Sequence, residues 1–342
     1  MQRDQLPAHR RQATYVIPRW KLVFVSSPKA ACTATKWLLA DALGIDPKLF
    51  YSSNSGETTR ATTIHQERSK WPAEVPRLRD LSDEQLAEVT PENGWFVFTT
   101  TRHPSLRLWS AWQSKLLLRE PRFMSQFADE AWMPGWPATT EQIVTDWIAF
   151  VTAVAADPEQ PIMRDIHFRP QTQLLGIGTT PYDRVYDTSE FAAMVKDLQV
   201  HLQRNGYEGE LQPRRSNETP LPALEAAFPA KVVDAMRELF SADFAQLSYD
   251  DPRPGKLRTG EYSDDLIAAA GIIVERNERI GDLGRRARRL ERRLARAEEL
   301  AARTTWDRVR DRLENLRRKA PGDLDDGDQE ELALDAGDDS GN

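Results

Sequence analysis

The sequence predicts an α/β fold with a central parallel sheet flanked by helices, and a helical, coiled-coil-like extension at the C-terminus. Three observations lead there. Two short apolar runs, Leu22-Val23-Phe24-Val25 and Trp95-Phe96-Val97-Phe98, each give way through a tight turn to a segment of helical spacing. Strands buried on both faces read as such uninterrupted runs. A long connection separates the two strand-loop-helix units, which favours layers built on a parallel sheet. In the last quarter of the chain, apolar and small residues recur in heptad phase with arginines between them.

Residues 1–20 are polar and basic, and 1–14 are expected to be flexible. The first strand ends at Ser26-Ser27-Pro28, and a helix is expected from Thr33 to Leu43, with Trp37, Leu38 and Leu43 apolar and Gly44 as its stop. The second strand turns at Arg102-His103-Pro104 into a helix carrying Trp109, Trp112 and Leu116 at i, i+3 and i+7. Further helices are expected over 143–155, 190–202 and 223–240, with a short strand at 183–186. The stretch DDPRPGKLRTG at 250–260 is rich in turn residues and charge, so the main domain is placed at 15–250 and a linker at 251–262. A helical extension over 263–320 follows, with Ile273, Ile280, Leu283, Ala287, Leu290, Leu294 and Ala297 in heptad phase. The phase slips before Trp306, Val309, Leu313 and Leu316, which suit a second helix, and 321–342 reads as a disordered acidic tail.

Composition narrows the function classes. A formal net charge of −7 argues against a general nucleic-acid binder. Cys32 is the single cysteine, so an intrachain disulfide or a zinc site of several thiolates is excluded and a reducing compartment fits best. The first twenty residues lack the apolar core of a secretion signal, and no apolar run approaches the roughly 18 residues of a membrane span. The default address is the cytoplasm, and peripheral association with the inner face of a membrane is compatible with it.

The segment Ser27-Pro28-Lys29-Ala30-Ala31-Cys32-Thr33-Ala34-Thr35-Lys36 lies where a strand yields to a helix N-terminus. Small residues let backbone N–H groups approach an anion, and the helix dipole adds a favourable field. Lys29 can reach over a phosphate there and Thr33 can offer hydroxyl and amide. The G-x-x-x-x-G-K-[ST] loop of nucleotide triphosphatases is absent. The motif Pro28-Lys29-x-Ala31-Cys32-Thr33-x-x-Lys36 resembles the 5′-phosphosulfate loop of the carbohydrate sulfotransferases of the chondroitin and HNK-1 type, a family-2 group.

A second, independent stretch supports that resemblance. Phe98 to Trp112 is similar to the same family's 3′-phosphate segment, in which an arginine ends a strand, a proline opens a helix and a serine follows eight residues after the arginine, as Arg102, Pro104 and Ser110 do. His103 stands where the family usually carries an acidic residue, and Arg107 matches a family position, although a helix-surface role would suit it equally. The resemblance implies a P-loop-kinase-like sulfotransferase fold and the donor PAPS (3′-phosphoadenosine 5′-phosphosulfate), held by Pro28, Lys29, Ala30, Ala31, Cys32, Thr33, Lys36, Arg102 and Ser110.

Sulfonate transfer needs a base for the acceptor hydroxyl and cations for the leaving phosphate. Lys29 and Lys36 suit the second task. For the first, His65 lies between the two phosphate segments at a distance comparable to a histidine of the family, and His167 sits in His167-Phe168-Arg169-Pro170-Gln171, which looks like the family's H-W-x-P-Q segment. A carboxylate of the 45–94 connection, among them Glu57, Glu67 and Glu74, stays open, while His9, His103 and His201 have less support. No metal is required by this chemistry. The resemblance implies a carbohydrate or lipid-linked acceptor hydroxyl. A kinase-like phosphotransferase and a catalytically silent scaffold acting through its coiled coil are the rival readings. For the arginine-rich extension, self-association competes with attraction to anionic lipid and with a plain solvated face.

Overall fold

The computed structural model describes residues 1–51, 62–65, 70–214, 220–302 and 305–318. Its sheet has four strands in the order β1 (Thr14–Ile17), β2 (Leu22–Val25), β3 (Phe96–Thr101) and β4 (Arg184–Asp187). β1 runs antiparallel to β2, whereas β2, β3 and β4 are parallel, with Val25 opposite Thr99 and Thr101 opposite Asp187. Parallel neighbours send their following loops out at the same edge, so the turns after β2, β3 and β4 converge.

Helices cover both faces of this sheet. In chain order they are α1 (Cys32–Ala42), α2 (Asp83–Ala87), α3 (Pro104–Trp112), α4 (Pro121–Phe127), α5 (Thr140–Ala156), α6 (Gln171–Leu175), α7 (Phe191–Arg204), α8 (Ala230–Leu239) and α9 (Ser241–Gln246). The two-residue period of the strands sorts the side chains. Phe24 and Phe98 stack and pack with Trp37 of α1 and Leu198 of α7, while Val23, Val25 and Val97 face the opposite way onto Leu86 of α2 and Leu175 of α6. Burial on both sides is why LVFV shows no polar alternation.

A third core anchors α3. Trp109 and Trp112 meet Trp147 of α5, the Trp109–Trp147 pair edge-on at 5.0 Å. Both indole N–H groups of that pair find carbonyls, at Leu221 and Ala227. A single π-turn over Gln113–Leu117 extends α3 before the chain reverses into α4.

Two stretches differ from expectation. Residues 1–14 were expected to be flexible and instead pack, with Met1, Leu6 and Arg10 buried, and the polar-looking first twenty residues contain β1. The stretch 251–262 is no free linker. Pro252 accepts a hydrogen bond from Ser105 Oγ at 2.6 Å, Arg258 pairs in parallel with Leu224, and Tyr262 is buried with its hydroxyl donating to Pro222 O. Several of its backbone groups bond to the main body, which a composition of Pro, Gly and charge did not announce. The chain accordingly divides into compact units at 1–284 and 285–342 rather than at 250. Helix α10 (Asp264–Ala302) begins in the first unit, where Ala270 and Val274 pack on Leu118 and Asn277 Nδ2 donates to Leu118 O at 2.6 Å. The second unit contains the exposed remainder of α10 and helix α11 (Thr305–Arg318). The acidic tail at 321–342 lies outside the described residues.

Candidate active site

The loop between β2 and α1 is shaped by its backbone. Lys29 and Ala31 take left-handed conformations at φ 66° and 56°, unusual for residues with a Cβ. Ala31 caps α1 without any side-chain hydrogen bond, so no side chain of the cap stands in the way of an anion at that helix end. Two tethers hold the loop from beneath. Thr100 Oγ1 on β3 donates to Ala30 O, and Arg107 Nε on α3 donates to Pro28 O at 3.0 Å.

Arg107 is 1% exposed, which removes the helix-surface reading. Its other two nitrogens donate to Arg169 O and Ile166 O, each at 2.8 Å. One guanidinium therefore ties the β2–α1 loop to the segment that carries His167.

The turn after β3 is held by side chains from far along the chain. Gln171 accepts from Arg102 N at 2.9 Å and donates to Arg102 O at 2.8 Å, closing a two-way clamp on that backbone. Gln171 is itself fixed by the fully buried Asp243, whose carboxylate accepts from the backbone N–H groups of Gln171 and Thr172 and from Thr172 Oγ1. Tyr249 Oη donates to Asp187 at 2.6 Å beside Thr101, and His103 Nε2 contacts Asp251 O. The backbone of Arg102 is thus pinned, while its guanidinium has no hydrogen-bond partner among the described residues.

Between these two turns opens a cavity of about 770 Å³. Lys29, Ala31, Cys32, Thr33 and Ala34 line one part, and Arg102, Leu106, Trp109 and Ser110 another. The wall continues through Thr188, Phe191, Arg214, residues 221–223 and Lys256-Leu257-Arg258. Among the described residues that lining contains five cations and no carboxylate. Arg214 is engaged by Asp41, but Lys29, Arg102, Lys256 and Arg258 have no ion-pair partner among the described residues. Partly buried Lys29 is pushed down to about 7, first by desolvation and then by Lys115. A dianion at the loop would reverse that shift.

Neither candidate imidazole belongs to the cavity wall; both stand beside it. His65, in a short turn over Thr63–His65, contacts Thr33 Oγ1 through Nε2 at 2.6 Å and Lys36 Nζ through Nδ1 at 2.8 Å. An ammonium can only donate, so Nδ1 accepts and the proton sits on Nε2. Burial, followed by Lys36 and Lys115, holds His65 well below its ordinary value. His167 is arranged otherwise. Its Nδ1 lies 2.6 Å from Asp165 Oδ1, and Arg122 holds the other oxygen of Asp165 at 2.9 Å. The carboxylate fixes the proton on Nδ1, and Nε2, left as the acceptor, has no hydrogen-bond partner among the described residues. Burial takes His167 down to about 3 against the pull of Asp165, with Lys115 adding to the fall.

With this geometry in view, the sequence comparison is decisive: the profile of the sulfotransferase family, Sulfotransfer_2, matches residues 12–250. The chain belongs to the sulfotransferase family. Sulfonyl transfer is thereby its reaction class, and the strands, the turns after β2 and β3 and both candidate histidines of this sulfotransferase all fall within the matched span. No curated protein and no solved structure matches the chain.

Of the residues singled out from sequence, Lys29, Ala31, Cys32, Thr33, Arg102 and Ser110 line the cavity; Pro28 and Ala30 anchor the loop through their carbonyls; Lys36 lies beneath, on His65. Glu57 and Glu67 lie outside the described residues. Lys115, Arg122, Asp165, Gln171, Asp243, Lys256 and Arg258 were not assigned roles from the sequence. Lys115 projects from the π-turn and pairs with Glu120, and its charge bears on Lys29, His65 and His167 together. A π-turn shifts a side chain off the regular helical face, so periodicity hides it. Lys256 and Arg258 could have been found as the cations of the turn-rich 250–260 stretch. Among the described residues no group of His, Cys, Asp and Glu could hold a metal ion, and no helix is long and apolar enough to cross a membrane.

Proposed function

We propose that this sulfotransferase moves a sulfonate from PAPS to a hydroxyl of a carbohydrate or glycolipid acceptor. The observation that supports the donor assignment is the cavity with cations at both turns and, among the described residues, no carboxylate in its lining. A nucleotide with phosphates at two separated positions suits that wall better than a nucleoside monophosphate does, because each charge-assisted bond contributes about 1.5–3 kcal/mol. Phe191, Trp109 and Leu257 supply apolar surface for a base and ribose. The acceptor class is supported by the motif resemblance alone.

In the reaction the acceptor oxygen bonds to sulfur as the bond from sulfur to the bridging oxygen of the 5′-phosphate breaks, and adenosine 3′,5′-bisphosphate leaves. Lys29, charged once the donor neutralises its surroundings, stabilises the negative bridging oxygen. The donor's negative charge offsets Lys115 and Lys29, which add to the fall of His167 in the free protein, so that His167 takes the acceptor proton on Nε2 with Asp165 supporting the imidazolium that forms. The acceptor Nε2 and the Asp165 contact favour His167, whereas both nitrogens of His65 are engaged by groups of the phosphate loop. His65 in this reading orients Thr33 and Lys36.

Calorimetry should find adenosine 3′,5′-bisphosphate bound at least tenfold more tightly than adenosine 5′-monophosphate; equal affinities would remove the donor assignment. Incubation with labelled PAPS and host-cell extract, followed by mass analysis, identifies the acceptor. His167→Ala should then lower turnover about a hundred- to ten-thousand-fold with donor affinity retained, while His65→Ala weakens donor binding as well. The reverse pattern transfers the base to His65.

A further inference from the structure

The exposed half of α10 presents a narrow seam whose flanking charges are ordered. Leu283, Leu290 and Leu294 are 55%, 53% and 60% exposed, although leucine is ordinarily covered. With Ile280, Ala287, Leu294 and Ala301 at heptad position a, the d positions hold Leu283, Leu290 and Ala297. That phase puts Arg286 and Arg293 at g and Glu291 and Glu298 at e. None of these four charges has an ion-pair partner within the chain among the described residues. Arg285, Arg288, Arg289, Arg292 and Arg296 fall at b, c and f, away from the seam.

We propose that this segment is a parallel, in-register, two-stranded coiled coil with a second copy of the chain. In a parallel pair each g residue meets the e residue of the next heptad across the interface. Arg286 then faces Glu291 of the second copy and Arg293 faces its Glu298, and symmetry repeats both pairs. An antiparallel pair would set g against g and e against e, opposing arginine to arginine and glutamate to glutamate. The charge order thus selects both partner and direction.

A lipid surface fits less well. The seam from Leu283 to Ala301 contains no aromatic residue, and Glu291 and Glu298 border it where an interfacial helix would face anionic headgroups. The alanines at a and d make the coil short of apolar area, so the flanking ion pairs decide its direction more than its strength.

The test uses the full chain. Sedimentation should give twice the 39.0 kDa chain mass, and Arg286→Glu/Arg293→Glu should return it to the single-chain mass. Mixing that variant with Glu291→Arg/Glu298→Arg should restore the doubled mass, since every g–e contact is again opposite in sign. Leu283→Cys reads direction: on mild oxidation a parallel in-register pair gives a covalent dimer, and an antiparallel one does not. A wild-type chain that stays at single mass, or that floats with phosphatidylserine vesicles instead of pairing, overturns the proposal. So does a dimer in which Leu283→Cys fails to cross-link.

Discussion

The turns after β2 and β3 follow adjacent parallel strands and open onto one cavity, yet they are built in different ways. The turn after β2 is a backbone device, with two residues at positive φ, an uncapped helix start and a desolvated lysine. The turn after β3 is a side-chain device, in which Gln171, Asp243, Tyr249 and Asp251, all remote in sequence, hold Arg102 and its neighbours. The first can be specified by a few consecutive residues. The second exists only when the rest of the domain has folded around it.

Arg107 ties the first turn to the segment that carries His167 and leads into Gln171, and its loss should have the largest effect. Arg107→Met leaves the carbonyls of Pro28, Ile166 and Arg169 buried without donors and should reduce unfolding free energy by about 3 kcal/mol or more, read by urea titration. Unchanged stability would mean that the first turn and the His167 segment stand without that tie. Lys29→Ala should come next, lowering turnover about a hundredfold or more while product affinity falls much less.

The same lysine gives a pH signature confined to the first turn. In the free protein Lys29 titrates at about 7, and a bound dianion favours its charged form. Above that pH, binding must take up a proton, so affinity for adenosine 3′,5′-bisphosphate should fall as pH rises through 7 and 8. Calorimetry in two buffers of different ionisation enthalpy measures the uptake, and Lys29→Met should abolish it.

Arg102→Ala should act on the second turn alone, costing about ten- to a hundredfold in affinity for the 3′,5′-bisphosphate with little change for the 5′-monophosphate. The smallest effect is expected at Ala31. Ala31→Gly relieves a left-handed conformation and should stabilise the fold by up to about 1 kcal/mol, or slightly less after the greater freedom of the unfolded chain. A loss of stability there would show that the loop draws on the Cβ contacts rather than on backbone geometry.

What the sequence disclosed follows the same division. β2, α1, β3 and α3 were legible because apolar runs, turn residues and helical spacing are local, and Lys29, Thr33, Arg102 and Ser110 were legible as parts of two compact motifs. β1 escaped notice because its four residues, Thr14–Ile17, are too few to show a period inside a polar segment. Arg107 looked like any helix-surface arginine until burial placed three carbonyls around it. Asp165 gave no sign of its link to His167, because a spacing of two residues pairs side chains only in an irregular backbone such as this one. Gln171 and Asp243 act across 72 residues of sequence, a relation no single window contains.

The cavity's charge has a kinetic consequence. On the proposed reaction the donor gives up its sulfonate but keeps both of its phosphate positions, so Lys29, Arg102, Lys256 and Arg258 hold the spent nucleotide by the same contacts that captured the fresh one. The molecule as a whole carries −7, and the attraction is therefore local, felt only within about 10 Å at ordinary ionic strength. Arrival is selective and departure is slow. Turnover at saturating substrate is then paced by nucleotide dissociation and rises with added salt, whereas the rate at low donor concentration falls with it.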